Sequence, residues 1–146
     1  MIKVHMIIPE RLYQRGTVRK HPAVAKDELI TALGLRAVVN LYGAPDEDLA
    51  RLLPTGYLHH PIPDGISSDF RALEYLACRA LEVAGEGAIL TLCHAGRNRS
   101  GLLSALIVRH LRSVTGAEAL RMVRAGRPRA VANPQFARYL EELTAP

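Results

Sequence analysis

Tryptophan is absent from this 146-residue chain, and phenylalanine and tyrosine number only two and five. That is a thin supply of stacking surfaces for nucleobases, which ranks nucleic acid below other phosphorylated ligands. Two cysteines, Cys78 and Cys93, are too few for a disulfide framework and agree with a reducing compartment. Long apolar runs are missing as well. The longest stretch without Asp, Glu, Lys or Arg, Leu52 to Pro63, is 12 residues and is broken by prolines and Gly56. A membrane-spanning helix needs about 20 apolar residues. Met1 to Glu10 has no sustained apolar region of signal-peptide type, so the expected location is cytoplasmic. No internal repeat, low-complexity tract or dividing linker is visible.

What remains is an ordinary globular composition, 49% hydrophobic and 23% charged. The length predicts one domain over residues 1–146. The charge is unusual in kind and in placement. Lysine and arginine number 19 against 14 acids, and 16 of those 19 are arginine. Arg97 to Arg129 holds eight arginines and one acid, Glu118. Such a surplus suits a phosphorylated or polyanionic ligand, and its plain alternative is a basic solvated surface.

Lys3 to Ile8 and Arg11 to Tyr13 read as short extended pieces. Lys26 to Leu33 reads as a helix stopped by Gly34. Ala37 to Leu41 has the continuous apolar, β-branched character of a buried parallel strand. Asp46 to Leu53 predicts a short acidic helix, and Gly56 to Ile62 a strand running into the turn Pro63-Asp64-Gly65. Ser67 or Ser68 is the expected cap of a long helix with Phe70, Leu73, Leu76, Ala77, Ala80 and Leu81 at helical spacing. Cys78 lies in that helix and reads as core. Ala88 to Leu92 predicts a second buried strand that delivers Cys93 at its carboxyl end. Leu102 to Leu111 is helical. Thr115 to Glu118 fits a capping box for a helix to Ala125, and Asn133-Pro134 opens a last helix to about Leu143. The expected class is α/β: a central, mostly parallel (mixed) sheet of four to five strands flanked by helices.

The segment from Cys93 to Gly101 joins a buried strand to a helix. A turn there presents the backbone N–H groups of His94, Ala95, Gly96, Arg97, Asn98 and Arg99 at a helix N-terminus, where free donors and the helix dipole favour an anion. Gly96 lets the backbone approach a ligand closely. Arg99 offers a planar fork that matches two phosphoryl oxygens. Cys93 sits where the same field favours a thiolate, the nucleophilic form of the side chain. The cysteine–arginine spacing alone is weak, because arginine is 16 of 146 residues. The preceding strand, the following helix, Gly96 and Ser100 together give it weight.

These residues resemble the cysteine-dependent phosphatase superfamily, in particular its small dual-specificity-like members. The family signature is His-Cys-x-x-Gly-x-x-Arg-Ser/Thr, and Cys93, Gly96, Arg99 and Ser100 occupy the matching places. The segments from Arg11 to Gly16 and from Gly34 to Leu41 look like the family's opening strands. Pro61 to Gly65 looks like its acid-bearing loop, and Asn133 to Phe136 like the start of its final helix. The resemblance implies a metal-free, cofactor-free, two-step phosphoryl transfer. Cys93 would be the nucleophile, Arg99 and the loop would bind the phosphoryl group, Asp64 would be general acid then base, and Ser100 would help the thiolate leave. Asp69 is the fallback acid, although its place suits the first turn of a helix. One residue departs from the pattern: the histidine before the cysteine, which orders the loop and tunes the thiol, is Leu92 here. His94 follows the cysteine instead and is expected to point elsewhere. His59 and His60 are adjacent in an extended segment, so they face opposite sides and are not expected to chelate a metal together.

The leading expectation is therefore a phosphatase for phosphotyrosine and for phosphoserine or phosphothreonine, acting on a phosphorylated protein or small phosphoester, with Arg97 facing the substrate beyond the phosphate. Within the superfamily, RNA 5′-triphosphatase and phosphoinositide or inositol phosphate phosphatase activities remain open. Outside it stand a non-catalytic phosphate-binding module and a rhodanese-like sulfurtransferase, which has no need of Asp64.

Overall fold

Alternating β-branched runs and amphipathic segments build an α/β layer structure in the computed structural model, which describes residues 1–63 and 69–146. In chain order the elements are β1 (His5–Ile8), β2 (Leu12–Gly16), α1 (Ala23–Leu33), β3 (Leu35–Asn40), α2 (Glu47–Leu52), β4 (Tyr57–His59), α3 (Phe70–Ala84), β5 (Ala88–Cys93), α4 (Arg99–Arg112), α5 (Gly116–Gly126) and α6 (Pro134–Glu141). Among the described residues five strands form one sheet, in the order β1-β2-β5-β3-β4. β1 pairs antiparallel with β2, and the other neighbours pair in parallel.

β5 holds the centre because it can be buried on both faces, and all six of its residues are. Ile89 and Cys93 face the cluster built by α3 to α6, with Leu12, Leu102 and Phe136. Leu90 and Leu92 face the smaller cluster under α1 and α2, with Leu29 and Val38. α4 is enclosed over its length from Ser100 to Val108. Deep in the core Thr91 Oγ1 of β5 and Ser104 Oγ of α4 share a 2.8 Å hydrogen bond and so satisfy each other.

Several boundaries differ from the sequence reading. The cap of α3 is Asp69, whose Oδ1 accepts from the Arg71 and Ala72 N–H groups at 3.1 Å each. Ser67 and Ser68, expected as the cap, lie outside the described residues. Cys78 is exposed, not core, because the buried stripe of α3 is Leu73, Leu76, Ala77, Ala80 and Ala84 and Cys78 is one step off it. α1 begins three residues early, after Pro22, since Lys26 is not its polar start but a buried member of its inner face. β4 is confined to Tyr57–His59, and α6 ends at Glu141. The capping box expected at Thr115 is met in its N-cap half: Thr115 Oγ1 accepts from the Glu118 N–H at 3.1 Å, while the Glu118 carboxylate takes the Thr115 hydroxyl, at 3.2 Å, instead of the backbone N–H.

Lys26 ties α1 to α2. Its ammonium lies 3.0 Å from Asp46 Oδ2 and 2.9 Å from Asp48 Oδ2, and it also reaches the Arg19 carbonyl at 3.4 Å. Asp46 in turn caps α2 through the Leu49 N–H.

Candidate active site

The parallel strands β2, β3, β4 and β5 end on one edge of the sheet, at Gly16, Asn40, His59 and Cys93. In open parallel sheets the crevice beyond those carboxyl ends is the usual ligand site. β5 places Cys93 there with 2% exposure, and α4 begins only six residues later. The intervening turn brings the predicted residues together around one sulfur. Gly96 N–H donates to Cys93 Sγ at 3.2 Å, and Ser100 Oγ lies 3.2 Å from the same atom. No acid stands in the first turn of α4 to oppose negative charge.

Among the described residues no acceptor pairs with the N–H groups of Ala95, Arg97, Arg99 or Ser100. Free amides at a helix start form an anion cradle. Arg99 donates from one terminal nitrogen to the Ile62 carbonyl at 3.2 Å, while its buried Nε has no partner among the described residues. A core would not leave a guanidinium N–H unpaired, whereas an oxyanion supplies the missing acceptor.

Gly96 is needed for a different reason than the sequence suggests. Its φ is +70°, and a Cβ there would collide with the backbone of Arg15 and Gly16 on β2. The close approach is to the neighbouring strand as much as to a ligand. The side chains of His94 and Arg97 also turn out to be occupied. His94 is exposed and stacks on Tyr42, with ring centroids 5.6 Å apart. Arg97 donates from Nε to the Arg129 carbonyl at 3.0 Å.

Sequence reasoning missed the wall behind the loop, the segment between α5 and α6. Val131 N–H donates to the Arg97 carbonyl at 3.1 Å, and Asn133 N–H donates to Asn98 Oδ1 at 3.1 Å. Val131 has φ +57°, a strained conformation for a β-branched residue. It is held there because Arg124 donates to its carbonyl at 3.0 Å and its side chain packs on Gly101. The positive φ values of Arg129 and Val131 have no signature in residue type, so no sequence pattern could flag them. Asn133 was legible as a helix cap and serves as one, through Gln135 and Phe136.

Charge on the β2 side of the loop is positive. Burial pulls the Arg15 guanidinium below its ordinary pKa, and its donors go to backbone carbonyls of Gly16, Lys3 and Thr17. Burial first, then the charges of Arg127 and Arg15, keep the His5 imidazole below its usual range.

Asp64 lies outside the described residues. The chain leading to it does not: Ile62 N–H donates to the Leu41 carbonyl at 3.3 Å, and the Ile62 carbonyl meets Arg99. Asp69 is engaged as the α3 cap, which weakens it as a proton donor. His59 Nε2 is 2.8 Å from the Tyr42 carbonyl. Among the described residues no group of three or more His, Cys, Asp or Glu could hold a metal ion.

No protein-family model matches the chain. A human relative, dual specificity phosphatase 28, is 31% identical over 123 residues, covering 82% of this chain and 68% of its own. The chain belongs to the dual-specificity phosphatases. The crystal structure of human DUSP28 agrees, with a TM-score of 0.75 and 28% identity over 95% of this chain and 93% of that one. The PTP-2 phosphatase of Cydia pomonella, at 20% identity, shares the fold with a TM-score of 0.80 over 97% of this chain and 89% of its own. Dual-specificity phosphatases are cysteine-dependent phosphatases, so this chain is an enzyme of that class, and the sulfurtransferase reading loses its support. No helix among the described residues is long and apolar enough to cross a membrane.

Proposed function

We propose that residues 1–146 form one catalytic domain that hydrolyses phosphomonoesters of phosphorylated proteins or small molecules through a phosphocysteine on Cys93. The observation that carries this reading is that Gly96 N–H and Ser100 Oγ meet Cys93 Sγ in a loop whose other amides have no acceptor among the described residues and which leads into the helix that bears Arg99. In the first step the Cys93 thiolate attacks phosphorus in line, the phosphorus–oxygen ester bond breaks, and Asp64 gives its proton to the departing oxygen. Arg99 and the loop N–H groups take up the charge on the equatorial oxygens. In the second step water attacks the phosphocysteine, Asp64 takes a proton from it, and the sulfur–phosphorus bond breaks. Gly96 N–H and Ser100 Oγ then hold the thiolate that leaves.

The cradle reads a phosphoryl group and not the group that bears it, so phosphotyrosine, phosphoserine and phosphothreonine are all substrates by this account. Side-by-side rates on phosphopeptides, an inositol phosphate and triphosphorylated RNA rank the substrate classes, with phosphopeptides expected first. The mechanism is tested with an aryl phosphate. Cys93→Ser abolishes turnover and stays folded, and Asp64→Asn removes the basic limb of the pH–rate profile while slowing the reaction about 10²- to 10⁴-fold. Wild-type rates in Cys93→Ser sink the reading.

A further inference from the structure

Strand alternation puts Leu12 and Gln14 on the same face of β2, toward the apolar cluster of α3 to α6. An apolar residue is expected at position 14. Gln14 is there instead, with 0% exposure. Its Nε2 donates to the Gly96 carbonyl at 3.0 Å, and its buried Oε1 has no partner among the described residues. A second donor meets the same carbonyl: Arg127 Nε, from the segment after α5, at 3.2 Å. Leu92, directly before Cys93, is buried and apolar and gives the loop no polar restraint of its own.

The peptide joining Gly96 to Arg97 is planar and trans, so its carbonyl and its N–H point in opposite directions. Two donors, one of them charged, draw the carbonyl toward β2 and the α5–α6 segment. The Arg97 N–H is thereby turned away from them, and it is one of the amides with no acceptor among the described residues. Gly96, at φ +70°, is the residue type that could most readily let this peptide rotate. Rotation would point a carbonyl oxygen where the cradle needs a donor, and would leave the Gln14 amide buried with no bond at all.

We propose that Gln14 and Arg127 are positioning residues that fix the Gly96–Arg97 peptide with its N–H toward the transferred phosphoryl group. The inference rests on the Cys93 phosphatase reading above. It also accounts for a buried glutamine that satisfies only half of its amide. For stability alone an apolar side chain of the same length serves as well or better, because a buried polar group with an unmet acceptor costs free energy.

That opposition between stability and activity supplies the test. Gln14→Met keeps the shape and removes the donor. The expected result is an unchanged or higher melting temperature, kcat on aryl phosphate reduced about 10- to 100-fold, and inhibition by orthovanadate weakened in step. A role in folding alone gives the reverse: a lower melting temperature with wild-type kcat and vanadate inhibition, and that outcome overturns the proposal. Arg127→Ala, at a half-buried site, covers the case in which the core variant fails to fold. It loses kcat severalfold with the fold intact, and in a foldable pair the two losses are less than multiplicative, because both side chains act on one carbonyl. Wild-type kcat and vanadate inhibition in Arg127→Ala also overturn it. A Cys93→Ser control separates the two levels: if it is inactive while Gln14→Met and Arg127→Ala behave as wild type, the positioning inference alone fails.

Discussion

Lys26 and Arg99 are both cations drawn out of solvent, and their surroundings differ in one respect. Around Lys26 the positive charge is answered inside the protein, by Asp46, Asp48 and the Arg19 carbonyl. Asp46 Oδ1 accepts from Lys26 and from Leu49 N–H, and Oδ2, although 3.0 Å from the ammonium, has no aligned donor, so that contact is Coulombic. Around Arg99 the answer from the described residues is incomplete: one carbonyl, no carboxylate, and no acceptor for the buried Nε. The amides beside it have no acceptor among the described residues either. A polar cluster closed on itself holds elements together. One left open at the carboxyl edge of a parallel sheet is built for something that arrives.

Disabling each cluster separates the two roles. The largest effect is expected from Arg99→Ala, which lowers kcat/KM about 10³- to 10⁵-fold in line with other arginines that clamp a phosphoryl group in flight. Its melting temperature stays within a few degrees of wild type. A loss of kcat/KM under tenfold contradicts the assignment of the open cluster to phosphate. Lys26→Ala does the opposite. It strands Asp46 in the core and costs about 3–5 kcal/mol of unfolding free energy in urea titrations, while the protein that remains folded turns over at nearly the wild-type rate. Replacing Lys26 and Asp46 together by Met and Leu recovers most of that stability if the pair is purely structural.

The smallest effect is on pH. Hydrogen bonds from Lys26 and then Arg51 hold the Asp48 carboxyl below its ordinary value of 3.8. A folded value below the unfolded one means that the stabilisation is present above the unfolded value and is lost as pH falls through the folded one. Urea midpoints should therefore drop below about pH 4, and drop less in Asp48→Asn. Identical acid limbs in the two proteins contradict the sign.

The open cluster was far more legible in sequence than the closed one. Cys93, Gly96, Arg99 and Ser100 lie within eight consecutive residues, so one loop carries their spacing, and the strand before and helix after it have clear periodicity. Lys26, Asp46 and Asp48 meet only because α1 and α2 pack on the same side of the sheet, and a lysine followed by Asp27 and Glu28 looks like a solvated one. Gln14 was invisible for the same reason, since its partner Gly96 is 82 residues away. The two cysteines show the limit of local reading from the other side. Cys78, beside an apolar stripe, read as core but is exposed, with His110 Nε2 3.8 Å from its sulfur. One residue of helical rotation decides between those outcomes.

The central claim is that phosphate passes through a covalent bond to Cys93. Acid-quenched mass spectrometry of Ser100→Ala during turnover of an aryl phosphate tests it most directly, because that variant slows departure of the thiolate and lets the intermediate build up. The account predicts one added phosphoryl group, located on the peptide that contains Cys93 and absent in Cys93→Ser. Steady turnover with no phosphorylated peptide at any quench time, or with the group on another residue, would contradict it.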